Sequence, residues 1–137
     1  MNLDPSAFVA APDLIQALDE HAVPIPCKEE FLLFRQGDTP TGLFILKEGT
    51  VSLQMSAPDG HFIVSVEASR GSLLGLPGII SNQPYTLTAI AHAGALIGYV
   101  SRTDFTALMQ SQPTLSLKIL KVLAAEVSSV RRGLVEM

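Results

Sequence analysis

The sequence contains little cysteine and little positive charge. Cys27 is the only cysteine among 137 residues, so an intramolecular disulfide and a metal centre built from several thiolates are excluded. A lone thiol is typical of a reducing cytoplasm. Nine Lys and Arg residues stand against 13 Asp and Glu residues, for a net charge of −4, whereas nucleic-acid binding depends on clustered cations. We therefore expect a cytoplasmic protein that does not itself contact nucleic acid.

Long apolar runs are also lacking. The densest apolar stretch, residues 71–80, is interrupted by Gly75, Pro77 and Gly78, while a spanning helix needs about 20 apolar residues. The N-terminus carries Asp4 and no early Lys or Arg ahead of an apolar segment, which is the wrong charge order for a secretory signal. We expect neither a membrane segment nor export.

Closely spaced histidines, which a cupin-type metal site in a β-roll would require, do not occur. His21, His61 and His92 are far apart, and no Gly-x-Ser-x-Gly nucleophile motif is present. The sequence therefore predicts no metal site and no enzymatic activity. A roll-type metalloenzyme with ligands from distant positions is the least favoured alternative.

Length and composition favour one domain over residues 1–137, because 47% apolar content fills a single core. Asp13 is positioned to cap a lead-in helix over residues 13–23, which two prolines then stop. Pro113 opens a last helix over residues 113–134.

The middle of the chain is predicted to be β-structure. From residue 31 to residue 100, short apolar runs are separated by turn signals such as Asp59-Gly60, as expected of an antiparallel roll. Asp104 is predicted to cap a short helix after the roll. The predicted fold class is mainly β with flanking helices, a double-stranded β-helix or jelly roll closed by a long C-terminal helix.

Two segments resemble a known family. Residues 37–53 read GDTPTGLFILKEGTVSL and resemble the opening of cyclic nucleotide-binding domains. Residues 71–89, which we call the cassette, contain GSLLGLPGII and PYTLTA. The cassette resembles the phosphate-binding cassette of the catabolite-activator and fumarate/nitrate-regulator (Crp/Fnr) superfamily. The resemblance implies a regulatory effector domain that binds a small ligand.

The cassette departs from the family pattern where a cyclic nucleotide is held. In the family, a Glu binds the ribose hydroxyl and an Arg neutralises the cyclic phosphate, but Leu76 and Tyr85 stand at those positions here, and only Thr86 matches. Loss of a desolvated Arg–phosphate contact costs about 2–5 kcal/mol, or roughly 30-fold to several thousand-fold in affinity. We therefore expect no tight binding of cyclic AMP.

The resemblance assigns a ligand site to the cassette and the last helix. The cassette residues are Gly75, Leu76, Pro77, Gly78, Tyr85 and Thr86, and the ligand-facing helix residues are Val127, Val130 and Arg131.

Two interpretations of this site stay open. The resemblance leaves a cyclic nucleotide or another small ligand open. A pocket lined by Leu74, Leu76, Ile79, Tyr85 and Leu87 suits a molecule more apolar than a nucleotide, oriented by the Tyr85 hydroxyl and Thr86. Alternatively, Leu76 and Tyr85 fill the pocket, and the domain is a ligand-free dimerisation or docking module.

The last helix also carries a stripe at alternating three- and four-residue steps, formed by Leu120, Leu123, Val127, Val130 and Leu134. This spacing is typical of helices that pair, and it predicts a homodimer. Leu117, Ile119 and Val122 would then face the roll. The alternative is that the stripe itself packs on the roll.

Overall fold

Two four-stranded antiparallel sheets form the body of the protein, as the computed structural model shows for residues 3–135. One sheet has the order β1-β8-β3-β6 and the other β2-β7-β4-β5. The strands are β1 (Val23–Pro26), β2 (Phe31–Phe34), β3 (Gly42–Glu48), β4 (Val51–Ser56), β5 (Phe62–Ala68), β6 (Leu73–Leu74), β7 (Thr88–Ala91) and β8 (Leu96–Ser101). The predicted mainly β fold class is confirmed.

Helices precede, interrupt and follow the roll. A 3-10 helix comes first, and the other helices are numbered in chain order. They are the 3-10 helix (Pro5–Phe8), α1 (Pro12–Asp19), α2 (Leu76–Ser81), α3 (Arg102–Ser111) and α4 (Pro113–Val135). The first and last two residues of the predicted domain lie outside the described residues.

Strand β3 lies between two apolar layers. Alternation along a strand sends successive side chains to opposite faces. Phe44 and Leu46 therefore enter the cluster between the two sheets, while Leu43 and Ile45 enter a second cluster beneath α1, α3 and α4. Both faces of β3 are buried, so the strand reads as a continuous apolar run instead of an alternating one.

The turn predicted at Asp59-Gly60 joins β4 to β5 as a hairpin. Val51 pairs with Ala68 and Met55 with Val64 across the two strands. Gly60 has a φ of +93°, which a glycine adopts without steric cost in a tight turn.

The lead-in helix is shorter than predicted. It ends at Asp19 instead of residue 23, and Pro12 is its first residue, so Asp13 lies inside the first turn and is not its cap. Pro24 and Pro26 do not merely stop the helix, because they lie in β1. This strand is at the edge of its sheet, where the missing proline N–H disturbs no central ladder.

The short helix after the roll begins earlier than predicted. The Ser101 hydroxyl accepts a hydrogen bond from the Asp104 amide at 3.1 Å, so Ser101 is the cap of α3 and Asp104 belongs to its first turn. Helix α4 begins at Pro113, as the sequence predicts, and continues to Val135. No helix in residues 3–135 is long and apolar enough to cross a membrane.

The buried face of α4 is displaced by about one residue from the predicted stripe. It consists of Leu115, Ile119, Val122, Glu126, Ser129 and Gly133. Leu117 is 66% exposed and does not face the roll as expected. The stripe lies beside the buried face, with Leu120 54% exposed and Leu123 and Val130 partly buried. The monomer therefore leaves most of the stripe uncovered.

Candidate functional site

A cavity of about 340 Å³ lies between the cassette and α4. Its walls come from the 3-10 helix, strands β2, β4 and β6, the cassette and the second half of α4. The lining residues are Phe8, Phe34, Leu53, Met55, Leu74, Gly75, Pro77, Gly78, Tyr85, Thr86, Leu87, Glu126, Val127, Val130, Arg131 and Leu134. The surface of the cavity is overwhelmingly apolar.

Glycines in the cassette make room for the ring of Tyr85. Gly75 has a φ of +85°, and a Cβ there would lie 2.9 Å from Cε1 of Tyr85. A Cβ on Gly78 would lie 2.8 Å from Cγ of Pro40 and 3.3 Å from Cδ1 of Tyr85. Real Cβ atoms do not approach so closely without displacing their neighbours. The two glycines therefore set the position of an aromatic wall.

Tyr85 contributes its ring to the cavity and its hydroxyl to the fold. The ring stacks on Phe34 with centroids 4.1 Å apart. The hydroxyl donates to the Gly42 carbonyl at 2.8 Å and accepts from the Thr41 amide at 3.3 Å. The prediction that this hydroxyl orients a ligand is wrong, because both of its hydrogen bonds hold the loop before β3.

The sequence predicts that Leu76 and Ile79 line the cavity, but neither residue does. Both belong to the second apolar cluster, and Leu76 is fully buried there. They are three residues apart on the short helix α2, so their side chains share one face. Pro77 and Gly78 contact the cavity from the other side. Leu76 therefore does not plug the cavity, which stays open beside the Tyr85 ring.

The structure places the three predicted ligand-facing residues of α4 around this same cavity. Val127 and Val130 form part of its wall together with Leu134, which the sequence assigned only to the pairing stripe. Arg131 is exposed at the rim and is the single cation among the described lining residues. Thr86 is likewise exposed at the rim.

Glu126 is the lining residue that sequence reasoning missed. It is 2% exposed, and its Oε1 atom has no hydrogen-bond partner within residues 3–135. Desolvation raises the pKa of this carboxyl well above its usual value. Its position gives only a weak signal, because it lies four residues after Val122 and four before Val130 on a helix face that also carries Ser129.

A cluster of polar side chains lies on the outer side of the roll. His92 Nε2 lies 2.8 Å from Ser52 Oγ and 3.0 Å from Glu67 Oε2, and Ser52 also bonds to Glu67. Serine and carboxylate contact the same ring nitrogen, so the carboxylate does not orient the imidazole as in a catalytic triad. Among the residues that the structure describes, no group of three His, Cys, Asp or Glu side chains is arranged to hold a metal ion.

The roll, the cassette and the cavity beneath the last helix define an effector domain of the cyclic-nucleotide-binding type. The family model described as the cyclic nucleotide-binding domain matches residues 26–112, which is more than half of the chain. The chain belongs to this family, and the predicted resemblance to cyclic nucleotide-binding domains is confirmed.

Relatives of the chain include much longer proteins. Lysophospholipase nte1 of Neurospora crassa is 28% identical over 96 residues, which cover 70% of this chain and 6% of that protein. The chain thus spans about 6% of the length of the curated relatives that it matches.

Solved structures share the fold. The catabolite activator protein of Thermus thermophilus has a TM-score of 0.77 and 19% identity, with 96% of this chain and 62% of that chain covered. CprK, in its oxidised form with o-chlorophenolacetic acid, has a TM-score of 0.74 and 18% identity, with 95% and 53% covered. At these identities the likeness establishes the architecture.

Proposed function

We propose that the protein is a regulatory sensor domain without catalytic activity, whose cavity binds a small and largely apolar molecule. The observation that carries this proposal is the open cavity of about 340 Å³ between the cassette and α4. Ligand pockets are typically concave and mostly apolar, with a few placed polar groups.

The charges around the cavity disfavour a cyclic nucleotide. Tyr85 stands where the family has its phosphate-binding Arg, and its ring packs on Phe34 instead of offering a positive charge. Arg131 is exposed at the rim, and Glu126 brings a carboxyl into the cavity. A cyclic phosphate would be desolvated here without a buried cation to compensate it.

The volume suits a ligand of one or two rings. An apolar protein cavity of about 150 Å³ binds benzene, and this cavity is roughly twice as large. A precedent within the fold is CprK, whose complex contains the one-ring compound o-chlorophenolacetic acid.

A ligand bound in the cavity would exert its regulatory effect through helix α4. Val127 and Leu134 line the cavity and also belong to the exposed stripe. A ligand that touches these side chains would change the surface available to a second copy of α4. We infer a homodimer through this stripe, in which the ligand shifts the population between two arrangements.

Calorimetric titration tests the choice of ligand. Cyclic AMP and cyclic GMP should bind more weakly than about 10 μM. Naphthalene, as a two-ring apolar probe, should bind and raise the unfolding temperature. Tight binding of a cyclic nucleotide, or no binding of naphthalene, would contradict the proposal.

A matched pair of variants locates the binding. Val130→Phe places a ring in the cavity wall and should abolish the naphthalene-induced shift. Leu117→Phe makes a similar change on the same helix at an exposed position outside the cavity. It should leave the shift unchanged, and a loss in both variants would place the binding elsewhere.

A further inference from the structure

Glu126 has a position that the fold alone does not explain. Buried polar atoms in native proteins almost always have a hydrogen-bond partner. The Glu126 Oε1 atom is buried and has none within the described part of the chain, yet the side chain lines a cavity that is large enough for a ligand. An unpaired carboxyl here destabilises the empty domain, and a ligand that pairs with it removes that cost.

The neighbours of Glu126 offer it no alternative. Ser129, on the same helix face, accepts a hydrogen bond from the Asp4 amide at 3.2 Å, and its hydroxyl makes no hydrogen bond to Glu126 Oε1. Val122 and Val130, one turn away on either side, are apolar. Arg131 lines the same cavity, but no ion pair joins it to Glu126 among the described residues. Within the described residues nothing pairs with this carboxyl oxygen, and the nearest open space that the Glu126 side chain lines is the cavity.

We propose that Glu126 is the polar anchor of the cavity, and that it selects an uncharged one- or two-ring molecule carrying a hydroxyl group. This inference rests on the proposed function and names the ligand chemistry of the same site. A neutral carboxyl donates one hydrogen bond and accepts others, and a hydroxyl does the same, so each group satisfies its partner.

Charged ligands fit this anchor less well. Burial favours the neutral form of the Glu126 carboxyl, because desolvation raises its pKa well above the usual value. An ammonium ligand would require both charges to be desolvated in an apolar cavity, which offsets most of their attraction. A carboxylate or phosphate ligand would be desolvated with only the exposed Arg131 nearby.

A series of naphthyl probes tests the anchor. The probes are naphthalene, 2-naphthol, 2-naphthoate and 2-(aminomethyl)naphthalene, which share the ring system and differ in one substituent. The protein has no tryptophan, so probe fluorescence can be read directly during titration. In the wild type, 2-naphthol should bind about tenfold tighter than naphthalene, and both charged probes should bind more weakly than 2-naphthol.

Variants assign this preference to Glu126. Glu126→Leu should weaken the binding of 2-naphthol about tenfold, to the level of naphthalene. The same variant should bind naphthalene equally well or more tightly than the wild type does. Glu126→Gln should keep most of the preference, because an amide also donates and accepts. Glu29→Leu, an acid-to-leucine change at an exposed position, should change nothing.

The outcomes separate this inference from the proposed function. If naphthalene binds but 2-naphthol binds no tighter, or if the preference survives in Glu126→Leu, the anchor is refuted while the cavity proposal stands. The anchor is also refuted if the ammonium probe binds tightest. If neither naphthalene nor 2-naphthol binds the wild type, both proposals fail.

Discussion

At the scale of single residues, the proposed ligand preference depends mainly on two side chains. Tyr85, at the position where the resemblance expects an arginine, stacks its ring on Phe34 and commits its hydroxyl to the fold. Glu126 brings an unpaired carboxyl into an apolar cavity. Tyr85 could be identified from the cassette resemblance, although the direction of its hydroxyl could not be predicted. Glu126 could not be identified, because a Glu within a helix is common. Its burial becomes apparent only when the element that packs against it is known.

Glu126 gives the protein a pH-dependent stability. Its pKa is raised in the folded state, so the folded state holds this proton more tightly than the unfolded state does. The protein should therefore lose stability as the pH rises above the usual glutamate pKa of about 4.3, by at most about 1.4 kcal/mol per pH unit. The loss ends once the folded-state pKa is passed.

Urea denaturation between pH 4.5 and pH 7.5 measures this effect. The Glu126→Gln variant lacks the titrating group, so its free energy of unfolding should rise relative to the wild type as the pH increases. A difference that does not change with pH would contradict the burial of an unpaired carboxyl.

Tyr85→Phe separates the structural role of the hydroxyl from ligand binding. The variant leaves the Gly42 carbonyl and the Thr41 amide without their partner, which should cost about 1–3 kcal/mol of unfolding free energy. Naphthalene affinity should stay within about twofold of the wild type, since the hydroxyl bonds to Thr41 and Gly42, which do not line the cavity. A large loss of affinity with little loss of stability would show the hydroxyl acting on the ligand.

At the scale of elements, the sequence predicts what local patterns determine. Turn signals with glycine locate the β4–β5 hairpin, and Pro113 locates the start of α4. Features that depend on tertiary packing are harder to predict from the sequence. The prolines of β1 are tolerated only because that strand is at an edge, and Leu76 turns away from the cavity because α2 packs on a second cluster.

Helix α4 illustrates this limit most clearly. Two adjacent stripes of the helix both follow three- and four-residue steps, and one begins at Leu115 while the other begins at Leu120. The sequence shows that two apolar faces exist. Only the positions of the roll and the 3-10 helix determine which face is covered.

The uncovered stripe makes a prediction about self-association. Leu120→Lys introduces a charge at its exposed start and should weaken dimerisation by roughly 2 kcal/mol, or about 30-fold. Leu117→Lys, on a neighbouring exposed part of the helix, is the matched control. Sedimentation equilibrium should show the loss only in the first variant. Equal effects, or a wild type that is monomeric at all concentrations, would refute pairing through the stripe.

At the scale of the whole molecule, the roll supplies a stable frame and borders the apolar cavity beneath α4. β3 packs on both faces, so its side chains belong to both apolar clusters. The cavity lies at the margin of one cluster, where the cassette and α4 meet. The cavity and this cluster therefore share side chains, among them Phe34, Leu53 and Leu74.

Truncation in the frame should be costly. Leu46 is fully buried between the sheets, and Leu46→Ala should remove about 2–5 kcal/mol of unfolding free energy. Leu117→Ala, at an exposed position, should change it by less than about 0.5 kcal/mol. Comparable losses from the two changes in chemical denaturation would contradict the two-layer core.

Xenon binding tests the central claim, an apolar cavity beneath α4, most directly. Apolar protein cavities take up xenon, so a crystal pressurised with the gas should show xenon beside Leu74 and Leu87, within reach of Glu126. Val130→Phe should remove that site. A wild-type crystal in which these side chains have closed together, with no xenon between them, would contradict the account.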